Sequence, residues 1–439
     1  MMTTAFTPLL VPTLTPSSQL QRPRIRFPGS VQRSQDEPDY FAEPDVTSTY
    51  AITDAPRQGR FENRVTLTPL LNLSLYSFNA RVDFMEIKAK SRTQVSSADL
   101  SKYIWSRSYI RTTVSGDAQG KLIINVKKPM RWHIKALIKC LNDHPIVETE
   151  GEINAIQVSL QANADRAYFE ADPTRAEQER WALTELLSRH FLPPSYTWDF
   201  PGGQPRSVYD DGIGVGHFLW KPSAQNGVKQ TEWSRAHTRM IREARDVEYH
   251  EQLEFETRLD PWNYHQHAVN GTTCFGNRAC ALMFKVMHRI KDTQDLKHGK
   301  ETILDNQERR ACVEATLRGD ALRRHSLTHC SHVGAGLRKL RKELFKFWLP
   351  TVRLTQGCVV SAFELERFQR GGVYAVRQAA LAAREREAYL NRRVRGRRFE
   401  RKWRREANDD HDGLQAFSYL NKRCADALRR AEGSWARLD

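Results

Sequence analysis

From Thr66 to Leu349 the apolar residues of this chain fall in short runs separated by turn residues, and their period limits what it can fold into. Alternation at every second residue makes strands with one apolar face, whereas a 3–4 residue spacing makes helices. Residues 80–87 read as a strand through Val82 and Phe84, and 121–126 as another after the Ser115-Gly116-Asp117 turn. The period then changes: Trp132, Ile134, Leu137, Ile138 and Leu141 sit at helical spacing over 132–141. Residues 153–160 return to alternation, with Ile156, Val158 and Leu160 on one face. Gln157, Ser159 and Gln161 take the other, which need not be dry core. Thr174 and Glu177 form a capping-box pattern behind Pro173, predicting a helix to about Arg189 that Pro193-Pro194 ends.

Farther along, residues 201–234 are rich in Gly, Pro and Ser and read as an insertion or long loop, while 239–259 are charged without a clear period. A strand pair is expected at Thr272–Phe275 and Leu282–Arg289, joined through Gly276-Asn277. Residues 310–317 alternate again up to Gly319. An amphipathic helix is predicted over 337–349, with Leu337, Leu340, Leu344 and Trp348 inward and Arg338, Lys339, Lys342 and Lys346 outward. Strands mixed with helices in no strict β-α order predict an α+β fold, a central antiparallel sheet flanked by helices.

The two ends differ from this middle. Residues 1–60 hold eight of the nineteen prolines and predict a flexible arm. Residues 61–350 form the expected α+β domain, and 351–439 a basic helical extension. Lysine and arginine exceed aspartate and glutamate by 68 − 52 = 16. Residues 391–405 carry eight arginines and one lysine against one glutamate, a net of +8, so half of the excess lies there. Such a helix repels itself unless anions neutralise it, which points to nucleic acid and, after it, to an acidic membrane surface. No stretch approaches the roughly 18 apolar residues a membrane-spanning helix needs, and residues 1–20 lack a secretory signal pattern. Seven scattered cysteines without a CxxC pair read as reduced thiols in a cytoplasm. The absence of GxxxxGK[ST] and GxSxG disfavours P-loop nucleotide hydrolysis and α/β-hydrolase chemistry.

The most specific local pattern is Gly271-Thr272-Thr273-Cys274-Phe275-Gly276-Asn277-Arg278, followed by Phe284-Lys285-Val286 and Lys291-Asp292. Together with Glu314-Ala315-Thr316-Leu317-Arg318-Gly319 and the 153–160 strand, it resembles the replication-initiation-factor family in order and spacing. These are the rolling-circle initiators of plasmids and filamentous phages, and the likeness covers roughly residues 80–350. The resemblance implies an origin-DNA partner, a host helicase as a further partner, and a tyrosine that attacks one phosphodiester with Mg²⁺ or Mn²⁺ held by carboxylates. It also implies backbone contacts from Arg278, Lys291 and Arg318, to which the basic tail adds Arg392, Arg397, Arg398, Arg401 and Arg405.

The sequence departs from that family at its chemistry. Cys274 stands at the tyrosine position, and Gln157 and Gln161 stand where acidic ligands are expected; only Glu314 keeps a carboxylate for a metal. Tyr264, between Asn263 and His265-Gln266-His267, is the alternative nucleophile. His325, His329, Cys330 and His332 form a second cluster, with 325 and 329 at the spacing of zinc ligands on a helix. The reading is a DNA-binding initiator of a plasmid or phage-like element that nicks one origin strand through Cys274 or Tyr264. Its alternatives are a non-catalytic DNA binder on the same fold and an RNA-binding protein using the arginine-rich tail.

Overall fold

The computed structural model describes residues 24–28, 47–117, 120–194, 205–210, 216–218, 272–276, 280–289, 291–295, 300–305, 307–354, 360–361, 364–365, 367–368, 371–377, 379–380 and 413–435. Their elements begin with β1 (Arg24–Pro28), β2 (Thr47–Asp54), β3 (Arg64–Pro69), β4 (Tyr76–Ser91) and α1 (Ser97–Ser108). Next come β5 (Thr112–Gly116), β6 (Lys121–Lys127), α2 (Arg131–Asn142), β7 (Val147–Glu148), β8 (Ile153–Ala164), α3 (Arg166–Ala171) and α4 (Pro173–His190). The strands β9 (Pro205–Asp210), β10 (Gly216–Phe218), β11 (Thr272–Phe275), β12 (Leu282–Arg289), β13 (Lys291–Asp295), β14 (Lys300–Ile303) and β15 (Arg310–Arg318) follow. Last are α5 (Gly319–Arg324), α6 (Val333–Glu343), β16 (Trp348–Arg353), β17 (Leu414–Ala416) and α7 (Ser418–Trp435).

The fold is α+β, built on a central antiparallel sheet ordered β10-β9-β11-β12-β15-β8-β4-β6-β5, with β7 beside β4. Strand alternation divides the chemistry of its two faces. Val158 and Leu160 of β8, Val313 and Ala315 of β15, and Phe284 and Val286 of β12 make the apolar face. That face forms one core with Leu183 and Leu187 of α4, Leu337 and Leu340 of α6, and Leu420 and Leu428 of α7. The other face carries Arg81, Gln157, Ser159, Glu314, Lys285 and Cys274. Opposite strands supply each other's backbone partners, so this polar face costs the ladder nothing.

A second sheet, β1-β2-β3-β16-β17, has its own small core of Tyr50, Leu67, Val352, Phe368, Val373 and Leu414. The two cores meet at His190, the last residue of α4. Its Nδ1 lies 2.6 Å from the Trp348 carbonyl and its Nε2 3.0 Å from the Tyr50 hydroxyl. Because a carbonyl only accepts, Nδ1 carries the proton and the Tyr50 hydroxyl donates to Nε2. Burial holds this imidazole neutral, its pKa pushed down to about 3.

Several expectations need correction. Residues 47–54, read as the end of a flexible arm, are strand β2, and Tyr50 is fully buried. The end of the domain at 350 cuts through β16, and α7, read as part of an extension, packs into the main core. The 337–349 helix runs instead over Val333–Glu343, and Trp348 and Leu349 open a strand. Trp132 lies on the outside of α2 at 59% exposure, not in its core face. Asp172, rather than Thr174, caps α4, accepting from the Arg175 N–H at 3.0 Å. Ser159 and Gln161 are buried, so the second face of β8 is covered as well. His325 and His329 share no helix: α5 ends at Arg324, and His329 instead caps the short 330–332 turn.

Candidate functional site

Register builds the site before any side chain is considered. Cys274 of β11 pairs with Lys285 of β12, Lys285 with Glu314 of β15, Glu314 with Ser159 of β8, and Ser159 with Arg81 of β4. These five residues therefore form one row across the polar face. Cys274 and Glu314 are brought to the same face, two strand spacings or about 10 Å apart, with Lys285 between them. Cys274 and Glu314 are both buried, at 6% and 7% exposure. Gly276, with φ near +80°, turns the chain after β11, and a Cβ there would lie 2.8 Å from the Leu282 carbonyl oxygen. Glycine at that corner is what lets β11 and β12 pair in this register.

The row gains its electrostatics from an irregularity in β4. Its pairing with β8 shifts between Val82 and Phe84, which bulges Asp83 out of the ladder. Asp83 accepts from Arg81 Nε at 2.7 Å. Arg289, at the end of β12, places Nη1 3.3 Å from Glu314 Oε1 and 3.5 Å from Asp83 Oδ2. Gln157 Nε2 donates to Glu314 Oε2 at 2.6 Å. Burial, and then the Asp83 charge, push the Glu314 pKa up, against the pull of Arg289, Lys285 and Arg81. Arg81 Nη2 is buried without a hydrogen-bond partner.

These surroundings do not fit a divalent cation at Glu314. A hard cation takes oxygen ligands, several of them anionic. Here the place between the two carboxylates is filled by a guanidinium nitrogen, and the second Glu314 oxygen is met by an amide N–H. Among the described residues no group of three His, Cys, Asp or Glu is arranged to hold a metal ion. The positive charge beside both carboxylates is the Arg289 guanidinium.

The other predicted residues are dispersed. Arg318 ends β15 on the same face as Glu314, opposite Ala155. Lys291 opens β13, which pairs with β14 in a separate two-stranded ribbon. Tyr264, His265, His267, Arg278, Arg392, Arg397, Arg398, Arg401 and Arg405 lie outside the described residues. Within the 325–332 cluster, His325 is buried 3.5 Å from Glu343 and His329 accepts from the Ser331 N–H at 3.2 Å. Sequence reasoning missed Asp83 and Arg289. The signal was present as a slip in period, for the apolar positions Val82, Met85 and Ile87 are spaced three and then two apart. That slip marks a bulge, and it moves Phe84 to the polar face.

No family model matches this chain, and no curated protein does. Among solved structures it is similar to a rolling circle replication initiator protein from Geobacillus stearothermophilus, at 9% identity. The match covers 64% of this chain and 88% of that one, with a TM-score of 0.26. Among the described residues, no helix is long and apolar enough to cross a membrane.

Proposed function

We propose that this chain binds DNA as a replication initiator of a plasmid or phage-like element, and that it binds without cutting. The observation that carries the reading is the cationic row on the polar sheet face. Arg81, Lys285 and Arg289 outnumber Asp83 and Glu314 there, and all three cations are half-buried, where the neighbouring Cys274, Ser159 and Glu314 are buried. Fixed cations that keep part of their surface in water suit a phosphodiester oxygen. The order of the initiator-like motifs along the chain supports DNA as the polymer, and the +16 net charge supplies sequence-independent attraction.

The non-cutting reading is supported by the state of the two candidate groups among the described residues. Cys274 is buried, and the Glu314 carboxylate is already engaged by Arg289 and Gln157. A nicking reading is favoured by one observation, that register sets Cys274 and Glu314 on one face with Lys285 between. Incubation of the full chain with supercoiled plasmid and Mn²⁺ separates the two. The expected result is retarded but still supercoiled DNA and no covalent adduct on a denaturing gel. A covalent adduct would overturn the non-cutting reading, and its loss in Cys274→Ala or in Tyr264→Phe would identify the nucleophile.

A further inference from the structure

At the β5–β6 end of the sheet, residues 100–116 and 121–142 contain nine lysines and arginines and no aspartate or glutamate. Together with residues 97–99, which put Asp99 in the first turn of α1, they fold into α1, β5, β6 and α2. Pairing of Thr112 with Val126 brings the start of β5 beside the end of β6. The segments leaving those strands, toward α1 and α2, therefore emerge at the same edge. There the surface is aromatic as well as basic. Trp105 is 44% exposed, Tyr109 78% and Trp132 59%. Three large rings left in water, on the segments that leave two paired strands at one edge, are unusual for a surface without a partner.

Each ring is held in place. Trp105 and Tyr109 meet edge to face, with centroids 6.1 Å apart, and the Arg111 guanidinium lies 5.5 Å from the Trp105 ring. Trp132 lies over His133 at 3.9 Å. Two of the residues adopt left-handed backbone, Tyr109 at φ 56° and Lys128 at φ 46°. Glycine enters that region without strain, whereas side-chain-bearing residues pay about 1 kcal/mol. The other described non-glycine residues there are Asn63 and Ser326, both small and polar. At the basic edge the chain instead spends two strained turns on a tyrosine and a lysine, both exposed residues. The edge also joins the polar face: the Lys128 N–H donates to the Asp83 carbonyl at 2.6 Å, in the bulge beside Arg289.

We infer that this edge is a binding site for single-stranded nucleic acid, bases stacking on Trp105, Tyr109 and Trp132 and phosphates meeting Arg111, Lys127 and Lys128. Rings of this kind accept any base through its π-face, and flanking cations track the backbone. Duplex DNA offers its bases only edge-on in the grooves, so exposed flat rings serve it poorly. The inference deepens the proposed function, placing a single-strand subsite next to the duplex-facing polar row.

Fluorescence anisotropy on the full chain tests it, with a labelled twenty-residue oligo-dT, the matching oligo-rU, and a duplex of equal length. Replacing Trp105 and Trp132 together by alanine should weaken oligo-dT or oligo-rU binding by about tenfold for each stacking platform removed. Duplex binding should change by less than about twofold, and the thermal midpoint should hold, because both side chains are exposed. Trp132→Phe should retain most of the affinity. Whichever of dT and rU binds tighter names the natural strand. Unchanged single-strand affinity in the double variant would overturn the inference, as would an equal loss on the duplex. Displacement of oligo-dT by poly-glutamate at matched charge would overturn it too, assigning the edge to an acidic protein. A wild-type chain that binds the single strands and not the duplex would instead count against the initiator reading and leave this site standing.

Discussion

Arg289 answers two carboxylates from one nitrogen, and that places the site's stability in one side chain. With Arg289→Ala, Asp83 and Glu314 would face each other without their shared cation at largely buried positions. The expected loss is about 3 kcal/mol, read from urea unfolding, since breaking a buried pair strands the remaining charge. Adding Glu314→Gln to that variant should recover part of the loss. If Arg289 supplies the charge of a metal, Mn²⁺ should leave the wild-type melting temperature unchanged. His190 offers a second test at this scale. Its imidazole titrates near 6.5 in an unfolded chain but only at about 3 when folded. Its contribution is therefore complete above about pH 6.5 and declines as acid is added toward pH 3, by up to about 1.4 kcal/mol per unit. His288, also held neutral by burial, acts in the same direction. Unfolding free energies measured at pH 7, 6 and 5 should fall steadily, and His190→Gln should flatten the slope without abolishing it.

Among the elements, α7 is the one whose role departs most from its place in the sequence. Its Arg423 and Arg430 donate to the carbonyls of Tyr76 and Phe78 in β4, and Leu428 is fully buried. Leu428→Ala should therefore cost about 2–5 kcal/mol in the unfolding of the main sheet; a separable tail would leave that transition unmoved. The same contrast explains what was legible. The bounds of β11 and β12 follow from Thr272–Phe275 and Leu282–Arg289 because short apolar runs with β-branched Thr272, Thr273 and Val286 flank a Gly-Asn pair that signals a turn. The 337–349 helix failed because its apolar spacing runs on through Leu344 and Trp348 while Pro350 approaches. A proline disfavours helix in the residue before it, and here the chain is already extended at Trp348. Trp132 failed for a different reason. Spacing assigns a ring to a face but does not say whether anything covers that face.

For the molecule as a whole, charge is distributed over two places, and only one of them is visible in the sequence. The dense run at 391–405 stands out because eight arginines fall within fifteen residues. The β5–β6 edge is made of cations spread over two windows and assembled only by strand pairing, so its density is visible after folding. Replacing Arg397, Arg398, Arg401 and Arg405 by glutamine should reduce the slope of log affinity against log salt by about 0.9 for each phosphate no longer neutralised. Single-strand stacking at the edge should persist in that variant. The pairing that carries the site, Cys274 through Lys285 and Glu314 to Ser159 and Arg81, was legible as a set of strands but not as a row. Order across a sheet is fixed by crossovers, and here β15 lies between β12 and β8 although long stretches of chain separate them.

The packing of α7 on β4 also has a consequence for how the protein is made. Arg423 meets Tyr76 across 347 residues of chain. At a synthesis rate of roughly 5–20 residues per second, that interval lasts about 20 to 70 seconds. Throughout it the apolar side of β4 has left the ribosome while the helix that shields it has yet to be translated. The nascent chain thus carries a sticky strand through that whole interval. Its yield in a cell should depend on holdase chaperones far more than its final stability would suggest. Expression with and without excess trigger-type chaperone, compared between the full chain and one with α7 supplied in trans, would measure that dependence.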